Sequence, residues 1–166
     1  ATFKCSRNIN FNAGSSLTTV NGNLTLEANQ QATPTTGAFS GIYLADNSIV
    51  EVTGAGTLDV KGKGGTTSNA QIGVYLYNAA ILRGGTSGNH FVSGTGGATT
   101  SNDNRGIQVQ LSGIITTNGG NLFIYAQGGG TNASAHNHGI HLVQSGVISA
   151  GGMGNVTINT FGGLST

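Results

Sequence analysis

Four segments of the chain share one pattern: a glycine, an aliphatic residue, any residue, and a second aliphatic. They are Gly41-Ile42-Tyr43-Leu44, Gly73-Val74-Tyr75-Leu76, Gly106-Ile107-Gln108-Val109 and Gly139-Ile140-His141-Leu142. The glycines are separated by 32, 33 and 33 residues. One further step of 33 residues back from Gly41 reaches Asn8, and Ile9-Asn10-Phe11 keeps the apolar-polar-apolar order without the glycine. A unit of this size cannot bury its apolar face alone. Stacking the units does so, and a fixed period of this length is therefore the mark of a solenoid.

Other positions keep the phase. Ile49, Ile81, Ile114 and Val147 each stand eight residues past an anchor glycine, while the first repeat offers Ser16-Leu17 there and fits with a one-residue slip. A third segment alternates in period two: Leu24/Leu26, Leu58/Val60, His90/Val92, Leu122/Ile124 and Val156/Ile158. A glycine pair or triplet follows, as at Gly64-Gly65 and Gly96-Gly97, and then a Thr/Ser/Asn-rich loop. Each repeat thus reads as three short strands divided by turn residues. The expected fold is all-β: a parallel β-helix with three sheets and five coils of about 33 residues. The general preference for right-handed parallel crossovers makes it right-handed. One domain spans 1–166, with a lead-in over 1–7 and coils near 8–40, 41–72, 73–105, 106–138 and 139–166. The expected inward columns are Phe11/Leu44/Leu76/Val109/Leu142, the Ile49 column, and the third-strand pairs. Glycines at the coil corners are expected to supply positive φ. An antiparallel sandwich gives no reason for one register to hold in three separate columns.

Composition narrows function. Glycine supplies 30 of 166 residues and charged residues only 7%, with a net charge of +1. Six Lys and Arg cannot build a phosphate-binding surface, so no nucleic-acid partner is expected. The single cysteine, Cys5, can form no internal disulfide, which leaves a free thiol or an intersubunit bond. No apolar run is long enough to span a membrane as a helix.

Chemistry-bearing residues are few. The acidic residues are Glu27, Asp46, Glu51, Asp59 and Asp103. A polysaccharide hydrolase or lyase on this fold needs acids adjacent on neighbouring coils. One coil beyond Asp46, Asp59 and Glu27 stand Ala79, Phe91 and Lys61, so no acidic pair stacks and no enzyme is expected. Lys61, Lys63, Arg83 and Arg105 read as scattered solvated charges. His136-x-His138-x-x-His141 places two imidazoles on one face of an extended segment, where they could hold Zn²⁺ or Cu²⁺. Without an acidic or cysteine partner nearby, a solvated loop is the competing reading, and no cofactor is expected. His90 stands in a leucine column, either as a hydrogen-bonded core histidine or beside a local bulge that turns Phe91 inward. Tyr43, Tyr75, Phe91, Phe123 and Tyr125 form outward aromatic ladders, suited to sheet stabilisation or to sugar rings.

Three segments, Gly-Asn-Leu-Thr-Leu at 22–26, Gly-Asn-Leu-Phe-Ile at 120–124 and Gly-Asn-Val-Thr-Ile at 154–158, carry a family resemblance, with the stretch at 128–140. They resemble the β-helical repeats of secreted bacterial exoproteins of the filamentous-haemagglutinin and autotransporter-adhesin type. The likeness covers about residues 8–164. It implies a secreted, cysteine-poor fibre or adhesin at the cell surface, in adhesion, biofilm or matrix. This chain is much shorter than such proteins and shows no recognisable secretion domain.

A solenoid has two ends, each with the unpaired backbone of a terminal coil. No amphipathic capping helix is legible at either end. Ile9 and Phe11 at one end and Leu142, Val147, Val156 and Ile158 at the other are the expected stacking residues. The expected role is a structural filament subunit whose partner is a second copy, joined head to tail. The alternatives are a carbohydrate-binding adhesin module using the outward aromatics, or a five-coil piece of a longer shaft.

Overall fold

The computed structural model describes residues 1–164, and among them there are strands, turns and loops but no helix. Ser165 and Thr166, the end of the coil expected over 139–166, lie outside the described residues. Three parallel sheets wind into a β-solenoid of about five coils. The first sheet holds β2 (Ile9–Phe11), β5 (Ile42–Leu44), β8 (Val74–Tyr77), β11 (Ile107–Gln110) and β14 (Ile140–Val143). The second holds β3 (Ser16–Thr19), β6 (Ile49–Val52), β9 (Ile81–Gly84), β12 (Ile114–Thr117) and β15 (Val147–Ile148). The third holds β1 (Thr2–Cys5), β4 (Leu24–Ala28), β7 (Leu58–Lys63), β10 (Asn89–Thr95), β13 (Asn121–Gln127) and β16 (Val156–Phe161).

Period-two alternation puts alternate side chains inside. Ile9, Ile42, Val74, Ile107 and Ile140 stack in one register, with Phe11, Leu44, Leu76, Val109 and Leu142 beside them. In the middle coils these side chains are fully buried and form one continuous core with the third-sheet pairs. His90 fills its leucine column, fully buried, while Phe91 points outward, so no bulge occurs.

Three expectations need correction. On the second sheet the inward column is Leu17/Val50/Leu82/Ile115/Ile148, one residue later than expected, while Ile49, Ile81, Ile114 and Val147 face outward. Paired aliphatics such as Val50 beside Ile49 leave the phase ambiguous to period-two reasoning. Ser16-Leu17 resolves it, and the first repeat pairs without any slip. The lead-in is likewise structured: β1 pairs with β4 and makes a sixth strand of the third sheet.

The third correction concerns the anchor glycines, whose φ is not positive. The anchor glycines mark close backbone approach: a Cβ at Gly73 would sit 2.3 Å from Thr95 N, where the first-sheet strand crosses the end of the third sheet. Gly14, Gly37, Gly88, Gly119, Gly130 and Gly152 do take the expected positive φ at turns, but from the second coil onward the turn into the second sheet places it on Asn47, Asn78, Ala79, Leu111, Ser112, Gln144 and Ser145. Such residues are strained in isolation. Bonds between coils hold them here, as when Asn47 N–H donates to the Asn78 carbonyl at 2.9 Å and Ala79 N–H to Leu111 at 2.8 Å.

The corrected phase makes a sharp prediction. Ile115→Ala should cost about 2–5 kcal/mol of stability, as a cavity in a packed core does. Ile114→Ala should cost much less, because its side chain lies outward. Equal losses in denaturant melts would contradict the assignment.

Candidate functional site

The outer face of the third sheet carries a groove of about 490 Å³, lined by Asp59, Lys61, Phe91, Phe123, Tyr125 and Asn159 among others. Register places Phe91 directly between Asp59 and Phe123. The Phe91 and Phe123 rings stack at 5.3 Å with planes 21° apart. Tyr125 lies in the next outward column and leans on Phe161 at 5.9 Å, a partner that sequence reading missed. Register with Gln127 was the available signal for Phe161. Lys61 Nζ bonds Asp59 Oδ2 at 3.0 Å and approaches Glu27 at 3.9 Å, while Asp59 Oδ1 is buried without a hydrogen-bond partner among the described residues.

The first sheet brings Tyr43 and Tyr75 together at 5.1 Å, with Tyr77 edge-on to Tyr75 at 6.0 Å. Burial, reinforced by the neighbouring Tyr43 and Tyr77 hydroxyls, pushes the Tyr75 phenol up to about 12. The expected aromatic ladder is therefore three separate stacks. Gln108 and His141 continue the tyrosine column.

His138 and His141 stack at 5.1 Å and 17°, and His136 stacks on His138 at 6.4 Å and 25°. The sequence motif thus becomes a pile of parallel rings. Among the described residues no set of three His, Cys, Asp or Glu side chains is arranged to hold a metal ion. Burial lowers the His141 pKa, with Arg105 and His138 adding to the effect and Asp103 opposing it. Arg105 is mostly buried, paired with Asp103 and donating to Gln108 Oε1 at 2.7 Å, so it is not the solvated charge expected. Arg83 is also engaged, at 3.0 Å from Glu51 one coil away.

An amide ladder was not anticipated. Phe39 N–H donates to Gln71 Oε1 at 2.6 Å, Gln71 N–H to Asn104 Oδ1 at 3.3 Å, and Asn104 N–H to Asn137 Oδ1 at 3.1 Å. Its trace in the sequence is a side-chain amide two residues before an anchor glycine.

The two ends complete the inventory. In one third-sheet column Ile124 is 2% exposed and Ile158 45%. In one first-sheet column Val109 is fully buried and Leu142 is 44% exposed. Val156 is also uncovered, and at the other end Phe3 is 45% exposed and Ile9, Phe11 and Leu17 are half-buried. Val147 is exposed but outward, so Ile148 replaces it as the second-sheet end residue. Cys5 is a free, exposed thiol.

No protein-family model, no curated protein and no solved structure matches the chain. No helix among the described residues is long and apolar enough to cross a membrane.

His90 offers a test of the buried polar chemistry. Leu58 N–H donates to His90 Nδ1 at 3.1 Å, which places the neutral ring's proton on Nε2. Burial holds its pKa below the ordinary 6.5, with backbone groups of Ser87 and Gly85 opposing. The unfolded chain therefore binds more protons just below pH 6.5, and stability contributed above that value is lost as pH falls through the folded pKa. His90→Leu, matching its column neighbours, should flatten part of this acid loss in melts at stepped pH. An unchanged pH profile would count against the assignment.

Proposed function

We propose that the protein is a structural β-solenoid unit of an extracellular fibre, lengthened by stacking its last coil on the first coil of another copy. The observation that supports this reading is the pair of open ends, where columns buried in the interior run out to exposed Leu142, Val156 and Ile158. Each column resumes at the opposite end with an apolar residue: Phe11 for Leu142, Ile9 for Ile140, Leu17 for Ile148. Unpaired strand edges pair readily with another chain. A contact between two unlike faces generates an open filament. The extracellular setting, and a part in adhesion or matrix, rest on the resemblance of the repeats to secreted exoproteins.

Long unbranched fibres of the purified chain are the expected result in negative-stain images. Ile158→Lys alters only the last residue of its column, over Ile124, and places an unpaired ammonium at the seam. It should raise the assembly threshold by more than about tenfold, since burying an unpaired charge costs several kcal/mol. A disperse monomer at high concentration would overturn the reading.

One observation favours a second reading, a glycan-binding module. The third-sheet groove sets half-exposed Phe91 and Tyr125 beside the unpartnered Asp59 Oδ1. Against it, the Phe91 and Phe123 rings are turned face to face, so they offer less open face to a sugar ring. On this reading Phe123→Ala or Tyr75→Ala lowers retention on glycan columns with assembly untouched. Unchanged retention removes it.

A further inference from the structure

The third sheet has six strands where the others have five, and the extra strand decides how two copies can meet. β1 and β16 lie at opposite ends of that sheet. Let the β2 and β3 of a second copy follow β14 and β15 at one strand spacing. The β1 of that copy then falls on the position already held by β16. If β1 stays, the copy must move out by a whole strand. Its β2 and β3 then stand about 9.6 Å from β14 and β15, twice the hydrogen-bonding spacing, and only β1 and β16 pair. Four strand edges would remain open at the seam.

We propose that copies join by strand exchange, in which β16 of one copy displaces β1 of the next and pairs with its β4. This rests on the stacking reading above. Register through the sheet puts Val156, Thr157, Ile158, Asn159 and Thr160 in the columns of Leu24, Thr25, Leu26, Glu27 and Ala28. β1 fills only four of those columns, with Thr2, Phe3, Lys4 and Cys5. The incoming strand thus repeats the threonine, offers Ile158 for Phe3 over Leu26, and adds Val156 over Leu24. It is six residues long against four.

The outgoing strand is weakly held. All four of its residues are exposed. Its side-chain tie is the Lys4–Glu27 pair at 2.8 Å, with the Lys4 side chain 65% exposed, and surface pairs of that kind add little. The Ala1 nitrogen donates to the Asn23 carbonyl at 2.6 Å. Just beyond β1 the chain is pinned, because the Ser6 carbonyl accepts from Gln31 Nε2 at 2.7 Å and Thr35 Oγ1 at 2.6 Å. β1 can therefore swing away while β2 stays in place. One strand pair is lost, and three form: β2 on β14, β3 on β15, and β4 with β16.

Cys5 supplies the test, because it stands opposite Ala28 in the register. Neighbouring strands are about 4.8 Å apart, within the Cα separation that a disulfide spans. In Ala28→Cys, oxidation ties β1 to β4, and thiol titration confirms the bond. Light scattering should show loss of assembly in the oxidised form and its return on reduction. Phe3→Glu gives an independent sign. It loosens β1 and should speed assembly under exchange, but it should slow assembly if β1 stacks on β16 with Phe3 against Ile158. Equal assembly of oxidised and reduced Ala28→Cys, or slower assembly of Phe3→Glu, overturns the exchange and leaves end-to-end joining through β1 and β16 alone. Failure of the wild-type chain to assemble removes both.

Discussion

Parallel pairing of each coil with the next is the interaction on which the rest of this structure depends. It places residues 32 to 34 apart in the sequence side by side for most of the molecule, as in Ile49↔Ile81, Ile9↔Ile42 and Leu24↔Leu58. Every other feature is fitted to that contact. Aliphatics stack on aliphatics to make the core, and rings stack on rings outside. Glu51 meets Arg83, and Glu27 meets Lys61, so repeated like charges do not confront each other. The left-handed turn at Asn78-Ala79 persists because its N–H groups bond to the coil beside it.

Contacts between coils and within them decide what the lateral surface has left to offer. The Phe91 and Phe123 faces are turned on each other, the imidazoles of His136, His138 and His141 are piled in parallel, and Arg105 is spent on Asp103 and Gln108. The sides of the solenoid are largely satisfied by their own neighbours. Its ends are not. Ile158 and Leu142 occupy columns that are closed everywhere in the interior.

The architecture was legible because the spacing of the anchors survives any choice of side chain between them. Where a strand carries one aliphatic face, as in Leu24-Thr25-Leu26, the inward residues could be read directly. Where two aliphatics are adjacent, as in Ile81-Leu82, period two is silent, and the second sheet was read one residue early. The role of β1 was hidden because its offset to β4 is 23 residues, outside the repeat: only Ser6–Asn8 separate it from β2. The imidazole pile and the amide ladder were hidden for a different reason. Both depend on side-chain direction in loops, and spacing does not fix that direction.

The axial rise per subunit tests the account most directly. With strand exchange, each copy adds five coils, or about 24 Å at the spacing of paired strands. Without it, the extra strand pushes the rise to about 29 Å. A helical reconstruction of the fibres by cryo-electron microscopy should give the shorter value, with the three sheets continuous across every seam. The longer value, or lateral contact between rods whose ends remain open, would contradict it.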